Sequence, residues 1–249
     1  MNLQIAVQLY TLREEMEKDF IGTLEKVAEV GYSGVEFAGY GGLKAAEMRK
    51  TLDRLGLEAA ASHVSIENLK NDLDEVIKYN REIGNKYIVC PWNQYTSKND
   101  YLLTADFFNE VGKKCSDEGL VFCYHNHAHE FEKYDGKYGL DIIYDNTNKN
   151  YVMAEIDVYW VKYAGIEPSE YLKKFIKRLP LIHLKDMERE DKSFTEIGNG
   201  IIDFGEIIKI AKMNGTEWFI VEQDLCKRSP LESIKISFDN LKKIMKEEY

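Results

Sequence analysis

Residues 111–131 read VGKKCSDEGLVFCYHNHAHEF: the end of an amphipathic helix, a glycine, an apolar run and a histidine-rich polar cluster, in immediate succession. Gly119 sits where a helix needs a left-handed cap before the chain turns back. The run that follows, LVFCYH, is apolar on successive residues, as a strand covered on both faces must be. The same phrase recurs as LEKVAEVGYSGVEFAG (24–39), RKTLDRLGLEAAASHV (49–64), VIKYNREIGNKYIVCPW (76–92) and IIKIAKMNGTEWFIVEQD (207–224). Within each, apolar residues at i, i+3, i+4 and i+7 mark one helix face. Eight apolar runs can be counted: QIAVQL, GVEFA, EAAASHV, YIVCPW, LVFCYH, VMAEIDV, LIHLKD and FIVEQD. Strands that alternate with helices imply parallel βαβ units. Eight such units predict an α/β fold, a single (β/α)8 TIM barrel occupying residues 1–249 as one domain. An open doubly wound sheet is disfavoured, because no G-x-G-x-x-G follows the first run.

Composition removes several classes of function. Hydrophobic residues make up 44% of the 249 residues and charged residues 31%, which supports a large core inside a charged surface. The formal net charge of −10 lacks the basic footprint of a phosphate-backbone binder, so no nucleic-acid partner is expected. No window approaches 18 uninterrupted apolar residues, so no membrane span is expected. The four cysteines form no C-x-x-C pair, and two lie in apolar runs. A reduced, cytoplasmic protein is expected.

In a barrel of this kind the chemistry gathers at the C-terminal ends of the strands. All five histidines fall at or just past such an end: His63, His125, His127, His129 and His183. The other strand ends carry Gln8, Glu36, Trp92, Asp157, Trp160, Lys185, Asp186 and Glu222. Two carboxylates with one or two imidazoles, drawn from four neighbouring strands, suit one divalent cation, with Mn²⁺ first and Co²⁺, Mg²⁺ or Zn²⁺ as alternatives. The expected metal ligands are His125, Asp157, His183 and Glu222. Alternation along a strand sends His125 and His127 to the same side, so one can ligate while the other faces substrate, and the two assignments can be exchanged. The candidate proton-transfer residues are His127, Glu222 and Glu130. His63, Lys185, Glu36, Trp160 and Trp92 are the candidate substrate-binding residues. Lys185 is equally suited to pairing with Asp186 or Glu155, and Asp224 reads as a solvated or capping acid.

The segments VQLYTLRE, GVEFAGYGG, YHNHAHEF, EIDVYWV, IHLKD, IGNGIIDF and IVEQD, in this order, resemble the xylose-isomerase-like TIM-barrel superfamily. That superfamily holds sugar phosphate isomerases and epimerases as well as inosose dehydratases and hydroxypyruvate isomerases. The resemblance implies a metal held by residues from strands five to eight, with Asp157, His183 and Glu222 at matching positions. Where its epimerases carry a strand-five glutamate, this chain has His125. The resemblance further implies a metal-dependent isomerase or epimerase working on a small sugar, keto-sugar or sugar phosphate through an enediolate. Dehydration or lyase chemistry on a keto-inositol or 3-keto-sugar is the alternative, and a catalytically silent sugar-binding barrel is the alternative of another class. The segment IGNGIIDF resembles the family's glycine-containing loop, which implies that Gly198 and Gly200 let backbone approach the substrate, and a homo-oligomer is a family-level expectation.

Overall fold

The computed structural model describes residues 4–247; residues 1–3 and 248–249 of the expected domain lie outside the described residues. Each of the eight apolar runs contains a strand. They are β1 (Gln4–Gln8), β2 (Gly34–Phe37), β3 (Glu58–His63), β4 (Tyr87–Cys90), β5 (Val121–His125), β6 (Val152–Asp157), β7 (Leu181–Leu184) and β8 (Trp218–Val221). Every neighbouring pair is parallel, and β8 returns to β1 with Gln4 opposite Trp218 and Val7 opposite Val221, closing the barrel. β2, β4, β7 and β8 are buried at every residue, which explains their unbroken apolar character.

Helices cover the outside. Phe20–Val30, Ala45–Leu55 and Phe204–Asn214 each end on a glycine in the left-handed conformation, at Gly31, Gly56 and Gly215. These are the glycines that the repeating phrase places after each helix. The longest helix before the last strand, Lys98–Asp117, opens with a reciprocal capping box between Ser97 and Asp100. Between β6 and β7 the connection is made by two short helices, Val158–Tyr163 and Pro168–Leu172. Two small antiparallel hairpins decorate the loops, Lys133–Tyr134 with Lys137–Tyr138 and Asp186–Met187 with Phe194–Thr195. No described helix is long and apolar enough to cross a membrane.

Register decides which side chains meet inside the barrel. Gln8 lies opposite Glu36, His125 opposite Glu155 and Asp157 opposite His183. The pairing of β2 with β3 slips by one residue between Val35 and Glu36. The slip puts Ala60 and Ala61 together in the barrel interior, in phase with His63 two residues on.

Candidate active site

The floor of the site is a ring of imidazoles around one carboxylate oxygen. Glu155 Oε2 lies 2.8 Å from His63 Nε2, 3.1 Å from His125 Nδ1 and 3.4 Å from His183 Nε2. Glu36 joins from β2, with Oε2 at 2.5 Å from His183 Nε2 and 3.3 Å from His63 Nε2. Gln8 Nε2 donates to the same Glu36 oxygen at 2.7 Å. Glu36, Glu155 and His183 are completely buried. Burial, reinforced by the charge of Glu155, pushes the Glu36 carboxyl up to about 7. Burial opposes charge on Glu155 as well, but His183 and His63 outweigh it and hold that carboxyl well below its ordinary range. Burial likewise opposes protonation of His183, and there the charges of Glu155 and Glu36 win and hold it well above its usual value. His125 goes the other way: burial and then the neighbouring His183 push it down to about 3, so it is a neutral imidazole.

A second layer lies toward the strand ends and is organised by Lys185. Its Nζ lies 2.6 Å from Glu222 Oε2, 2.8 Å from Asp224 Oδ1 and 3.1 Å from Asp157 Oδ2. His183 Nδ1 also reaches Glu222 Oε2, at 3.0 Å. Burial opposes the ammonium charge, but Asp157, Glu222 and Asp224 outweigh it and hold Lys185 well above its ordinary value. Lys185, followed by His183, holds Glu222 ionised against its burial. Asp157 fixes the start of the helix Val158–Tyr163 by accepting from Tyr159 N and Trp160 N through Oδ1. Lys185 therefore pairs with Asp157, Glu222 and Asp224 instead of Asp186 or Glu155. Asp224 is a partner of the site and not a free solvated acid.

Above these layers opens a cavity of about 440 Å³, a size ordinary for small-molecule sites. His63, Trp92, His125, His127, Lys185 and Glu222, all expected from the sequence, line it. Tyr10, Ala38, Pro91 and Asp224 line it too. Tyr10 lies two residues past the end of β1 and is half-exposed, as Trp92 is two residues past the end of β4, so the two carry the same signal. His127 is pushed down to about 2 by burial, then by His125 and Lys185, and stays a neutral imidazole. Its Nδ1 is buried without a hydrogen-bond partner.

Three expected residues stand elsewhere. Glu36 lies beneath the cavity, fully buried among Gln8, His63 and His183, so no substrate group reaches it directly. Glu130 is turned away from the cavity: its carboxylate accepts from Tyr124 Oη at 2.6 Å and from the His127 backbone N at 2.9 Å. It shapes the loop that carries His127. Trp160 packs behind the wall, its ring centroid 5.4 Å from that of His127 and 5.8 Å from Lys185 Nζ. Gly198 and Gly200 approach a carboxylate of the protein itself. Their N–H groups donate to Asp186 Oδ2 at 2.9 and 2.8 Å, and a side chain at Gly200 would collide with Asp186 and the Met187 carbonyl.

Among the described residues, two overlapping sets could hold a metal ion, His63–His125–Glu155–His183 and His125–Asp157–His183–Glu222; within each, the ligand atoms lie within 4.8 Å of one another. The fit extends to single atoms, since Glu36 Oε1, Glu155 Oε1 and Asp157 Oδ2 are buried without a hydrogen bond. Imidazole with carboxylate is a donor mixture for Mn²⁺, Co²⁺ or Zn²⁺.

Comparison with known proteins agrees with the fold. An inosose dehydratase of Clostridium beijerinckii is 25% identical over 259 aligned residues, covering 87% of this chain and 86% of that protein. A structure of a sugar phosphate isomerase/epimerase from Parabacteroides distasonis is 27% identical and superposes with a TM-score of 0.85, covering 97% of this chain and 98% of the other. The zinc-containing IOLI protein shares the fold at a TM-score of 0.77 with 14% identity, over 99% of both chains. The family model for the xylose isomerase-like TIM barrel matches residues 24–244. With eight parallel strands closed into a barrel and this match across most of its length, the chain belongs to the xylose isomerase-like TIM-barrel family.

Proposed function

We infer that this chain is a divalent-metal-dependent carbohydrate isomerase or epimerase that moves a proton at the carbon beside a carbonyl. One observation carries the reading: the carboxylate of Glu222 and the imidazole of His127 line the same cavity, above a histidine–carboxylate donor set. A divalent ion held on His125 and His183 together with their carboxylate neighbours would polarise the substrate carbonyl as a Lewis acid. Glu222, fixed by Lys185 and His183, takes the proton from the acidified carbon. His127 carries the proton of the neighbouring hydroxyl to the carbonyl oxygen when the sugar is isomerised, and returns it to that hydroxyl when the sugar is epimerised. Lys185 holds positive charge beside the developing enediolate. Proton delivery to the adjacent carbon gives the isomer, and delivery to the opposite face gives the epimer.

The substrate class follows from charge. Among the described residues, the one lysine or arginine lining the cavity is Lys185, and it already meets three carboxylates. An uncharged sugar or keto-polyol therefore fits better than a phosphorylated one. Loss of a β-hydroxyl as water is the second reading. It is favoured by the relatives named inosose dehydratase and by the ammonium of Lys185, which can protonate a departing hydroxide. The four cysteines are free, which supports a reducing compartment such as the cytoplasm.

The test is solvent-deuterium exchange into a panel of ketoses, keto-inositols and 3-keto-sugars, followed by NMR with Mn²⁺, Co²⁺ or Zn²⁺ present. Exchange beside the carbonyl, reduced about 10²–10⁴-fold in Glu222→Gln, is the expected result. A rearranged sugar as product supports the isomerase reading, whereas an enone formed with loss of water supports the dehydratase. Tight sugar binding without exchange in any metal form would overturn both and leave a silent sugar-binding barrel.

A further inference from the structure

The two donor sets share His125 and His183 but use opposite nitrogens of each ring. His125 turns Nδ1 to Glu155 and Nε2 toward Asp157, while His183 turns Nε2 to Glu155 and Glu36 and Nδ1 to Glu222. We propose that the metal ion binds in the inner set, on His63 Nε2, His125 Nδ1, His183 Nε2 and Glu155, while Lys185 serves as the built-in cation of the outer set. The proposal rests on the metal dependence inferred above and names where the ion sits.

Geometry favours the inner set. Four ligands at 2.0–2.1 Å from a tetrahedral ion stand about 3.3 Å from one another. The three imidazole nitrogens stand 2.8, 3.1 and 3.4 Å from Glu155 Oε2. In the outer set His183 Nδ1 lies 3.0 Å from Glu222 Oε2, but His125 Nε2 stands 3.8 Å from Asp157 Oδ2, and the two contacts are to different carboxylates instead of one shared oxygen.

Charge balance separates the sets further. Asp157 and Glu222 are held directly by the Lys185 ammonium, and Asp157 Oδ2, although it lacks a hydrogen bond, has that ammonium 3.1 Å away. The ionic partners of Glu36 and Glu155 are histidines, and each of these completely buried carboxylates keeps one oxygen, Oε1, without a hydrogen bond. A buried carboxyl oxygen in that condition calls for an ion or an ordered water. A single divalent ion would balance both carboxylates, with Glu155 as ligand and Glu36 beside it, its Oε2 2.5 Å from the same His183 nitrogen. Either ring nitrogen of His183 has a carboxylate behind it, so outer-shell orientation is satisfied both ways and does not decide. Lys185 decides, because it already fills the outer set with positive charge.

The consequence is a division of labour. His63 and His125 line the cavity, so an ion on them lies at its floor and faces the substrate. Glu222 is then left free of ligand duty and available for proton transfer.

The decisive experiment measures metal binding independently of turnover. Metal-stripped wild type and the variants His63→Gln, Glu155→Gln, Asp157→Asn and Glu222→Gln are titrated with Co²⁺ and Zn²⁺ against a chelating indicator. X-ray absorption of the Co²⁺ form counts histidine ligands, and circular dichroism of each stripped variant checks its fold. One ion per chain with three histidines is expected, with affinity reduced about 100-fold or more in His63→Gln and Glu155→Gln, unchanged in Asp157→Asn, and reduced by no more than about 10-fold in Glu222→Gln, whose side chain only orients His183 through Nδ1. Should Glu155→Gln fail to fold, His63→Gln at the cavity edge carries the test. Loss of the ion in Asp157→Asn and Glu222→Gln, with His63→Gln unaffected and two histidines bound, would overturn the inner site while leaving the proposed activity standing. Absence of binding by the wild type would overturn the inner site and the metal dependence together. Inner-site binding with no deuterium exchange in any substrate would support the site and sink the activity.

Discussion

The interior of the barrel has two halves built on the same strands and the same alternation, and they are chemically opposite. Toward the N-terminal ends lie Ala6, Ala61, Tyr87, Cys123, Leu181, Trp218 and Ile220, packed as a small separate core. Two residues further along the same strands lie Gln8, His63, His125, His183 and Glu222, and on β6 the inward positions advance through Glu155 to Asp157. A step of two residues keeps a side chain on the same face, so the change from apolar to ionic is one of depth. The lower half is stabilised by close packing, and Gly34 shows how tightly. A Cβ there would lie 2.7 Å from the Trp218 ring, so the bulk of one strand requires its absence on another. The upper half is held by mutual charge compensation among groups that would each be costly to bury alone. A packed floor of this kind keeps a charged layer in register, and it lets the site be altered without dismantling the barrel.

Substitutions in the two halves are therefore expected to fail differently. Trp218→Ala opens a cavity in the floor and should cost about 3–5 kcal/mol in urea unfolding while leaving the metal affinity of the surviving folded protein intact. A loss of metal affinity that exceeded the loss of stability would show that the halves are not separable. Lys185→Met, in the upper half, removes the cation from Asp157, Glu222 and Asp224 at once. Stripping one partner from a buried ionic network costs about 3 kcal/mol or more. Added Zn²⁺ or Co²⁺ should restore part of that stability, because the outer carboxylates then become a competing cation site. Unfolding that is indifferent to metal in Lys185→Met would mean that the lysine does not act as the outer cation.

The same contrast explains which features are legible in the amino-acid sequence and which are not. The floor and the surrounding helices are legible, because burial on both faces writes itself as unbroken apolar runs such as YIVC and WFIV, and helix ends are written as Gly31, Gly56 and Gly215. That His125, Asp157, His183 and Glu222 converge is legible from strand ends alone. Depth and reach are not. Glu36 ends β2 as plainly as Glu222 follows β8, yet it lies under the cavity because neighbouring strands in a tilted barrel are staggered. Lys185 has a long flexible side chain, and nothing local indicates that it crosses to Asp224, 39 residues away in sequence. Glu130 is drawn off the cavity by Tyr124, six residues earlier, a contact that only the fold of the intervening loop creates. Gly198 and Gly200 stand out as points of close backbone approach, but the partner is Asp186.

Smaller effects sharpen the contrast at its upper edge. Chelation of the ion should lower stability by about 2.7 kcal/mol relative to protein held at a metal concentration 100 times its dissociation constant. That difference should vanish in Glu155→Gln if the ion belongs to the inner set. The smallest effect is expected at the rim. Trp92 lines the cavity but is 49% exposed, so its ring is not part of either packed half. Trp92→Ala should change unfolding free energy by no more than about 0.5 kcal/mol, the range of an ordinary surface substitution. If the ring lies against the sugar, KM should rise while kcat under saturating substrate stays the same, because the substitution removes binding common to ground and transition states. A fall in kcat with KM unchanged would instead place Trp92 among the groups that act only in the transition state. Such a result would carry the ionic half of the barrel beyond its strand ends into the loops.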